Sequence, residues 1–327
     1  MIANRIRNSI ILSTTLTASL LAAGCDAVDA PEDFAGDQAH ALRPSGGGGI
    51  VFNTLTFGHL SASEVVLGQP SPDGVVLESV EVLFDGQYAA VENLWAEQGE
   101  IHATIPGYEA LHAYDLLESR WSVVVDGELY VYTITEIFGD AGLYRYNFVD
   151  IDTYGREEGI PACGHQIGGN GPGNEYTAVV IENLTADPTN GTVSYNSTPG
   201  SMFIACETGG VGKAVTWGYA PYDKEVSMND FQAAVRMVRD DLCGDGGSWT
   251  QQGTPIFLLD KPAINWNDSG VIEAVWTPDG AACLGDHTRT GIDYANVTCN
   301  GQPLNPCLAD GWDYFSLDGS FSMSRLP

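Results

Sequence analysis

The sequence has few basic residues. Only 13 lysines and arginines stand against 43 aspartates and glutamates, and the net charge is −30 over 327 residues. A field of that sign repels nucleic acid and anionic lipid headgroups, so we exclude nucleic acids as partners. With 44% hydrophobic residues the chain can still bury a core, and a disordered acidic protein is also excluded. We expect a solvated, acidic surface.

The sequence also lacks an N-terminal apolar run long enough to cross a membrane. The uncharged run after Arg5 and Arg7 has about 14 residues, whereas a spanning helix needs about 20. A positive start followed by such a run is typical of a secretory signal peptide. The run ends in LAAGC, and small residues before a cysteine are what a lipoprotein signal peptidase cleaves. We predict a signal peptide over residues 1–24 and a lipid on Cys25, with ordinary secretion after cleavage near Ala23 as the alternative.

The segment after the lipid site has almost no aromatic residues. Residues 25–49 are mostly small, acidic, proline and glycine residues, which cannot bury enough surface to fold. They predict a flexible tether between the lipid and the folded part. The predicted location is therefore the cell envelope of a bacterium, at the outer membrane or cell surface, and otherwise the secreted fraction. The membrane, reached through the lipid anchor, is the first predicted partner.

No CxxC motif occurs, and no histidine is spaced beside a cysteine as in a zinc finger, so the cysteines do not indicate a zinc site. The chain has seven cysteines, and six remain once Cys25 is assigned to the lipid. An even number of cysteines in an exported chain predicts disulfides. Six cysteines allow 15 pairings; we favour nearest neighbours, and Cys299–Cys307 above all, because CNGQPLNPC is a short loop. The disulfide candidates are Cys163, Cys206, Cys243, Cys283, Cys299 and Cys307.

Strand signals dominate from Ile50 onward. Asp85-Gly86 and Asp126-Gly127 each lie between alternating β-branched and aromatic residues, which predicts two hairpins. Further predicted strands are IHATIP, LYRYNFVDI, TAVVIENL, MFIACE, AVTWGYA, GTPIFLLD and VIEAVWTPDGAACL. We predict a mainly β chain with one clear α-helix (α+β). Its β-sandwich-like N-terminal half spans residues 50–158, and its cysteine-rich C-terminal half spans residues 159–327.

The one clear helix is predicted in SMNDFQAAVRMVRDDLCG. Ser227 is its predicted N-cap, and Asp230 occupies the capping-box position. Apolar residues recur every three or four positions and form one face: Met228, Phe231, Val235, Val238 and Leu242. Arg236, Arg239 and Asp240 fall largely off this face, and we predict that they are solvated.

Three stretches resemble the ADYC domain, a family of secreted or lipid-anchored proteins found mostly in myxobacteria. They are FIACETGGVGKAVTWGYAPY (Phe203 to Tyr222), AAVRMVRDDLCGDGGSWTQQGTPI (Ala233 to Ile256) and EAVWTPDGAACLGDHTR (Glu273 to Arg289). PACG at residues 161–164 and Pro306-Cys307 also fit. The resemblance covers roughly residues 160–310 and implies no particular activity. The second stretch is interpreted as a structural clasp, not an active site.

The chain departs from the family pattern at several positions. It has Asp240, Asp241, Leu242 and Cys243 where the name-giving motif has Ala, Asp, Tyr and Cys. Relatives often have cysteines where this chain has Ala214 and Ala234. The resemblance implies that those two cysteines form a disulfide in relatives and that this chain lost the pair as a unit. It would then lack a bridge worth about 2–4 kcal/mol.

The sequence carries no recognised catalytic motif. It has no GxSxG, and no histidine lies in a known catalytic pattern. His287, next to Asp286, is the most suggestive base, but we predict a polar turn residue. The glycine-rich stretch at 164–175 lacks the Lys-Ser/Thr of a phosphate loop and is predicted as a loop. We name no catalytic, cofactor-binding or metal-binding residue.

Two kinds of ligand stay open as alternatives. Acidic stretches at 150–159 and 310–319 place oxygen ligands near glycines, which suits a structural calcium ion, although neither completes an EF-hand loop. Tryptophans could stack on sugars, although aromatics on strands usually lie in the core. These are Trp217, Trp249, Trp266, Trp276 and Trp312.

The predicted function is that of a non-catalytic structural or interaction protein of the cell envelope, without a cofactor. One alternative is a module that binds glycans or another surface component, and the other is an extracellular hydrolase. A binder needs exposed aromatic planes in a groove, whereas a hydrolase needs convergent Asp, Glu or His in a pocket. A polysaccharide or an envelope protein is the expected partner.

Overall fold

The computed structural model is mainly β with few helices, which confirms the predicted class. It describes residues 56–57, 60–61, 64–71, 74–108, 110–125, 127–140, 143–150, 160–163, 177–187, 190–207, 209–223, 225–250, 254–289, 296–308 and 311–327. All of them belong to one unit, Ala39–Pro327. The predicted signal peptide, Cys25 and the predicted tether lie outside the described residues.

Most elements are short strands. The first ten are β1 (Thr56–Phe57), β2 (Leu60–Ser61), β3 (Val76–Phe84), β4 (Gln87–Ala90), β5 (Asn93–Glu97), β6 (Glu100–Thr104), β7 (Arg120–Val125), β8 (Glu128–Asp140), β9 (Leu143–Asp150) and β10 (Ile160–Pro161). The other ten are β11 (Ala178–Glu182), β12 (Leu184–Ala186), β13 (Val193–Tyr195), β14 (Met202–Cys206), β15 (Phe257–Asp260), β16 (Val271–Thr277), β17 (Gly280–Leu284), β18 (Thr298–Cys299), β19 (Gln302–Pro303) and β20 (Ser322–Leu326). The helices are the 3-10 turn η1 (Ala113–Leu116), α1 (Gly210–Thr216), α2 (Met228–Arg239) and α3 (Trp312–Phe315).

An eight-stranded antiparallel sheet is the largest element of the fold. Its order is β14-β11-β9-β8-β7-β3-β4, and β10 pairs with β9. The hairpin predicted at Asp85-Gly86 joins β3 to β4, and both residues have positive φ, 49° and 75°, as a two-residue hairpin turn requires. The hairpin predicted around Gly127 joins β7 to β8, with Asp126 outside the described residues.

The strands of this sheet bury alternate side chains, as a pleated strand with one face on a core must. In β7 the buried positions are Trp121, Val123 and Val125. Trp121 packs edge-to-face against Phe148 of β9, with ring centroids 5.2 Å apart. β14 is buried at every position because a second core lies on its other side.

The second core is formed by α1 and α2 against a four-stranded sheet of order β15-β20-β16-β17. The capping box of α2 is confirmed: Ser227 accepts from the backbone N–H of Asp230, and Asp230 accepts from that of Ser227. Ala214 and Ala234, where the resemblance predicts cysteines in relatives, are both fully buried in this core. The loss of a disulfide between them stays a prediction.

The large sheet includes strands from both sides of residue 158. Ala178 of β11 pairs with Tyr146 of β9, and β11 then pairs with β14 along its whole length. The division of the chain into residues 50–158 and 159–327 stays a prediction about sequence organisation. No helix of the described ranges is long and apolar enough to span a membrane.

The strand predicted in AVTWGYA is wrong. Residues 214–216 are the last turn of α1, and a turn follows. β-branched Val215 and Thr216 favour a strand locally, but Val211, Ala214 and Val215 bury one helical face, so packing overrides propensity. Gly212 permits this packing, because a Cβ there would collide with the carbonyl oxygen of Cys206.

All six cysteines of the C-terminal half lie in pairs, but only one predicted pairing is confirmed. Cys163 bonds Cys206, whereas Cys299 bonds Cys243 and Cys307 bonds Cys283, so the predicted Cys299–Cys307 bridge is wrong. In the β18–β19 hairpin, Cys299 lies opposite Gln302, not opposite the later cysteine. The chain then runs to β17, where the N–H of Cys307 donates to the carbonyl of Leu284. That contact sets Cys307 beside Cys283.

Candidate functional site

The candidates named from the sequence do not converge. Asp286 and His287 are both exposed, as expected for a polar turn. Trp276 is fully buried and donates its Nε1–H to Ser324, 2.8 Å away. Trp266 is 63% exposed, and Trp312 is also exposed, but neither lines the cleft described below. Trp276 therefore cannot stack on a sugar, and no tryptophan among the described residues lines the cleft.

One of the two acidic stretches proposed to bind calcium lies almost wholly outside the described residues, and the other is described except for its first residue. Of the stretch at 150–159, only Asp150 is described, at the end of β9. Of the stretch at 310–319, residues 311–319 are described and include α3. The glycine-rich stretch at 164–175 lies wholly outside the described residues. A structural calcium ion in the acidic loops stays a prediction.

The charged residues of the α2 region are buried, so the predicted solvated face is wrong. Arg236, Arg239, Asp240 and Asp241 are each at most 9% exposed. Arg236 pairs with Asp241 and donates to the carbonyl of Asn190. Both the apolar face and the charged face of α2 are buried, because the helix packs between the second sheet and the segment around β13.

These side chains also hold the loop after α2. The Asp241 carboxylate accepts from the N–H of Gly246 at 2.9 Å, and Arg239 donates to the Gly246 carbonyl at 2.9 Å. The backbone of Gly246 is thus hydrogen-bonded by two side chains at the end of α2, the carboxylate of Asp241 and the guanidinium of Arg239. The Cys243–Cys299 bond links the same loop to β18.

A second buried ionic network lies beneath the four-stranded sheet. Glu273 Oε1 accepts from the backbone N–H and Nε of Arg289, at 2.8 and 2.9 Å. Its Oε2 accepts from Arg289 Nη2 at 2.6 Å and from the Ser324 hydroxyl at 2.8 Å. Asp240 lies on the other side of the guanidinium, with Oδ1 3.8 Å from Arg289 Nε.

The two carboxylates of this network differ in their proton affinity. Burial would raise the pKa of Glu273, but Arg289 and its hydrogen bonds lower it below the usual value. Burial raises the pKa of Asp240 to about 7, against the opposing effect of Arg289, and Glu273 adds to the increase. Neither Asp240 oxygen has a hydrogen-bond partner among the described residues. The network therefore combines, around one arginine, a carboxylate whose pKa is lowered and a carboxylate whose pKa is raised.

An open cleft of about 1010 Å³ lies at the edge of the large sheet. Its walls are the β5–β6 turn, the start of β9, and the end of α1 with the loop that follows. The polar and aromatic residues that line it are Glu97, Gln98, Glu100, His102, Tyr144, Arg145, Thr216, Tyr222 and Asp223. Three carboxylates and one arginine line it, so the cleft is acidic, like the chain as a whole.

The cleft walls are fixed by specific contacts. Gln98 and Gly99 form the β5–β6 turn with positive φ, and the Gln98 N–H donates to Glu182. Burial raises the pKa of Tyr222 to about 12, and nearby Glu182 adds to that increase. Arg145 pairs with Glu207 at 2.7 Å, which holds its guanidinium on the cleft wall. The cleft is thus formed by ordered side chains.

Glu100, His102 and His112 meet at one side of this cleft. Glu100 Oε2 is 3.8 Å from His102 Nε2, and Glu100 Oε1 is 3.6 Å from His112 Nδ1. One ligand atom from each residue lies within 4.8 Å of the other two. Glu100 and His102 line the cleft, and the two imidazole rings are 5.0 Å apart. Among the described residues, this group has the donor set of a metal site.

Strand register brings the three residues together. Glu100 and His102 are two apart on β6 and therefore point to the same face. Ala103 and Leu111 exchange backbone hydrogen bonds of 3.1 and 2.6 Å in an antiparallel bridge, which sets His112 opposite His102. Trp95, the β5 partner of His102, stacks on its ring at 5.3 Å and fixes its orientation.

Sequence reasoning missed this group because its signal is weak. Glu-x-His on a strand is common, and nothing local shows that residue 112 returns beside residue 102. The one usable signal was IPGYEAL, where proline and glycine could have indicated a turn back along β6. The structure supplies the pairing that the sequence could not.

The fold and the cleft define a mainly β, cysteine-paired domain with an acidic open cleft. The ADYC domain matches residues 113–290, more than half of the chain, and the chain belongs to this family. The matched range begins earlier than the predicted resemblance and includes β7 to β9. No curated protein and no solved structure matches the chain.

Proposed function

We propose that the chain is a lipid-anchored interaction protein of the bacterial cell envelope that binds a polar ligand, such as a saccharide, in the acidic cleft. The proposal rests on the cleft itself. It is open, has a volume of about 1010 Å³, and is lined by tyrosines and charged groups. A purely structural protein needs no such cleft. Pockets of this size accommodate small ligands and oligosaccharide ends.

The charge of the cleft favours a particular class of sugar. Glu97, Glu100 and Asp223 line it, and its one arginine is already paired with Glu207. A uronate would meet like charge, whereas a neutral or amino sugar would not. Tyr144 and Tyr222 offer rings and hydroxyls for stacking and hydrogen bonding. We expect neutral or amino-sugar oligosaccharides to bind more tightly than uronates.

The location in the envelope rests on the signal sequence and the cysteine pairs. Disulfides persist in oxidising compartments, which is compatible with a secreted or extracellular protein. The proposal also includes the lipid on Cys25 and the sandwich-like N-terminal half. Mass spectrometry of the mature N-terminus tests the lipid: an acylated Cys25 supports it, and an N-terminus near Ala23 without lipid overturns it.

Saccharide binding is tested by thermal unfolding of the full chain in detergent with oligosaccharides of the three classes. A ligand at 100 times its Kd stabilises by about 2.7 kcal/mol, which raises the Tm by a few degrees. Tyr144→Ala should abolish the shift, whereas Tyr195→Ala, an exposed tyrosine outside the cleft, should keep it. No shift with any class, or equal shifts in both variants, would reject the cleft as a saccharide site.

An extracellular hydrolase is the second candidate, because a carboxylate and an imidazole converge in the cleft. Glu100 and His102 are the groups that a general acid–base mechanism would use. Chromatography of the same oligosaccharide samples after incubation separates the two candidates. Shortened products that Glu100→Gln no longer forms would favour the hydrolase, and intact oligosaccharides would favour the binder.

A further inference from the structure

The group of Glu100, His102 and His112 has the composition of a transition-metal site. Two imidazoles and a carboxylate are a donor set that zinc sites with an open coordination position use. Imidazole nitrogens select Zn²⁺ and similar ions, whereas Ca²⁺ and Mg²⁺ prefer sites made of oxygens alone. The donor set thus distinguishes this group from the many exposed carboxylates of the chain.

The distances fit a metal ion after small side-chain rotations. Zinc–ligand bonds of about 2.0–2.1 Å in a tetrahedron place ligand atoms about 3.4 Å apart. Glu100 Oε2 is 3.8 Å from His102 Nε2, and Glu100 Oε1 is 3.6 Å from His112 Nδ1. With one ligand atom taken from each residue, the three atoms lie within 4.8 Å of one another. The His112 side chain is 61% exposed and free to make such an adjustment.

A second observation points independently to a ligand. His102 is only 7% exposed, yet its Nε2 has no hydrogen-bond partner among the described residues. A buried polar atom without a partner costs free energy, and it is commonly explained by an ion or water. Nε2 is the atom that faces the Glu100 carboxylate.

The surrounding residues orient the group. The N–H of Ala113 donates to Glu100 Oε1 at 3.1 Å, and Trp95 stacks on the His102 ring. Such supporting contacts fix the ligands of metal sites before the ion binds. Since β6 and the bridge at Ala103 and Leu111 hold the backbone, the site is largely formed in advance.

We propose that Glu100, His102 and His112 bind one Zn²⁺ or a similar divalent transition-metal ion, with a remaining coordination position open to the cleft. That position would hold a water molecule or an oxygen atom of a cleft ligand. The site does not rest on the proposed saccharide binding, since the metal alone is the probe that tests it.

The full chain is purified in detergent without a histidine tag and treated with EDTA to remove bound metal. The test is isothermal titration calorimetry of this protein with Zn²⁺. Excess Mg²⁺ occupies the exposed carboxylates, which prefer hard cations. We expect one Zn²⁺ per chain, and His112→Ala should weaken binding at least about tenfold. His287→Ala, which removes an exposed histidine outside the group, is the matched control and should bind as the unchanged chain does.

Two further measurements keep the result interpretable. Co²⁺ should give the visible absorption of a four- or five-coordinate site in the unchanged chain and lose it in His112→Ala and Glu100→Gln. Near-ultraviolet circular dichroism verifies that both variants are folded. Equal Zn²⁺ affinity in the unchanged chain and His112→Ala, or an equal loss in His287→Ala, would overturn the proposal, whatever the saccharide experiment gives.

Discussion

The chain contains two groups of charged side chains that are satisfied in opposite ways. In the pair of Glu273 and Arg289, every oxygen of Glu273 has two donors, and Asp240 lies 3.8 Å from the same guanidinium without a hydrogen bond among the described residues. In the group of Glu100, His102 and His112, Glu100 Oε1 accepts one backbone N–H, and His102 Nε2 has no partner among the described residues.

The difference shows which group serves the fold. A buried charge is tolerated only where its partners are close and its hydrogen bonds are complete, and the pair of Glu273 and Arg289 meets both conditions. Asp240 does not, and burial instead raises its pKa, which favours its neutral form. The group at the cleft has left its polar atoms available. We infer that the first contributes to stability and specificity of the C-terminal core, whereas the second is available to a ligand.

The largest expected effect is that of Glu273→Gln. The substitution keeps the shape of the side chain but leaves Arg289 buried with one distant carboxylate, so we expect a loss of about 3–5 kcal/mol in the free energy of unfolding. Urea unfolding at pH 7 measures it. Glu92→Gln, at an exposed position, is the control and should change stability by about 0.5 kcal/mol or less. A loss from Glu273→Gln as small as that of the control would show that Glu273 does not stabilise the buried charge of Arg289.

The next effect concerns the bridge beside that network. Replacing Cys283 and Cys307 together by alanine opens a link across 24 residues and should cost about 3 kcal/mol, measured by urea unfolding. Zn²⁺ binding at the cleft should be unchanged in this variant. Peptide mapping of the unreduced chain checks the pairing itself, and a peptide that joins Cys299 to Cys307 would contradict it.

Asp240→Asn should stabilise the protein at neutral pH. The folded pKa of Asp240 is raised to about 7 from 3.8, so the folded state holds a proton between about pH 4 and 7 that the unfolded chain releases. That contribution is complete below about pH 4 and is lost as the pH rises through 7. Asparagine cannot ionise, so the variant should be more stable by on the order of 2 kcal/mol at pH 8.

The measurement for Asp240→Asn is the pH dependence of urea unfolding between pH 4 and 8. The difference between the variant and the unchanged chain should grow across this range and vanish at its acidic end. A difference that is constant with pH, or a variant that is less stable at pH 8, would mean that Asp240 is ionised and needed by Arg289.

The smallest expected effect is that of His112→Ala without metal. Its side chain is mostly exposed, so the free energy of unfolding should change by about 0.5 kcal/mol or less. Urea unfolding in EDTA measures it, with His287→Ala as the control. If His112→Ala lowered the free energy of unfolding by more than about 1 kcal/mol in EDTA, His112 would stabilise the fold, as Glu273 does. The contrast between the group at the cleft and the network of Glu273 would then be lost.

Local patterns in the sequence predicted the local elements of the fold. Asp85-Gly86 predicts its hairpin because few residues other than glycine, asparagine and aspartate adopt positive φ there, and Ser227 with Asp230 predicts the start of α2. The pattern failed at Ala214–Thr216, where β-branched residues lie in a helix. Packing against β14 decided that element, and packing is not local information.

The charged residues and the candidate site could not be predicted for the same reason. Arg236 and Asp240 lie off the apolar face of α2, and a sequence cannot show that a second surface covers that side as well. His102 and His112 meet through the bridge of Ala103 to Leu111, and Cys299 meets Cys243 across 56 positions. Each of these depends on strand register or on contacts between distant segments.

The range that matches the ADYC domain does not include all the elements of the fold to which it belongs. Residues 113–290 exclude β20, which lies between β15 and β16, and they leave Cys243 and Cys283 without Cys299 and Cys307. They also exclude all three residues of the group at the cleft, while Tyr144 and Tyr222 of the opposite walls fall inside. The residues that match the family model and the residues that make up the folded unit are therefore not the same set. The matched range carries one part of the cleft lining and none of the three residues of the group at the cleft.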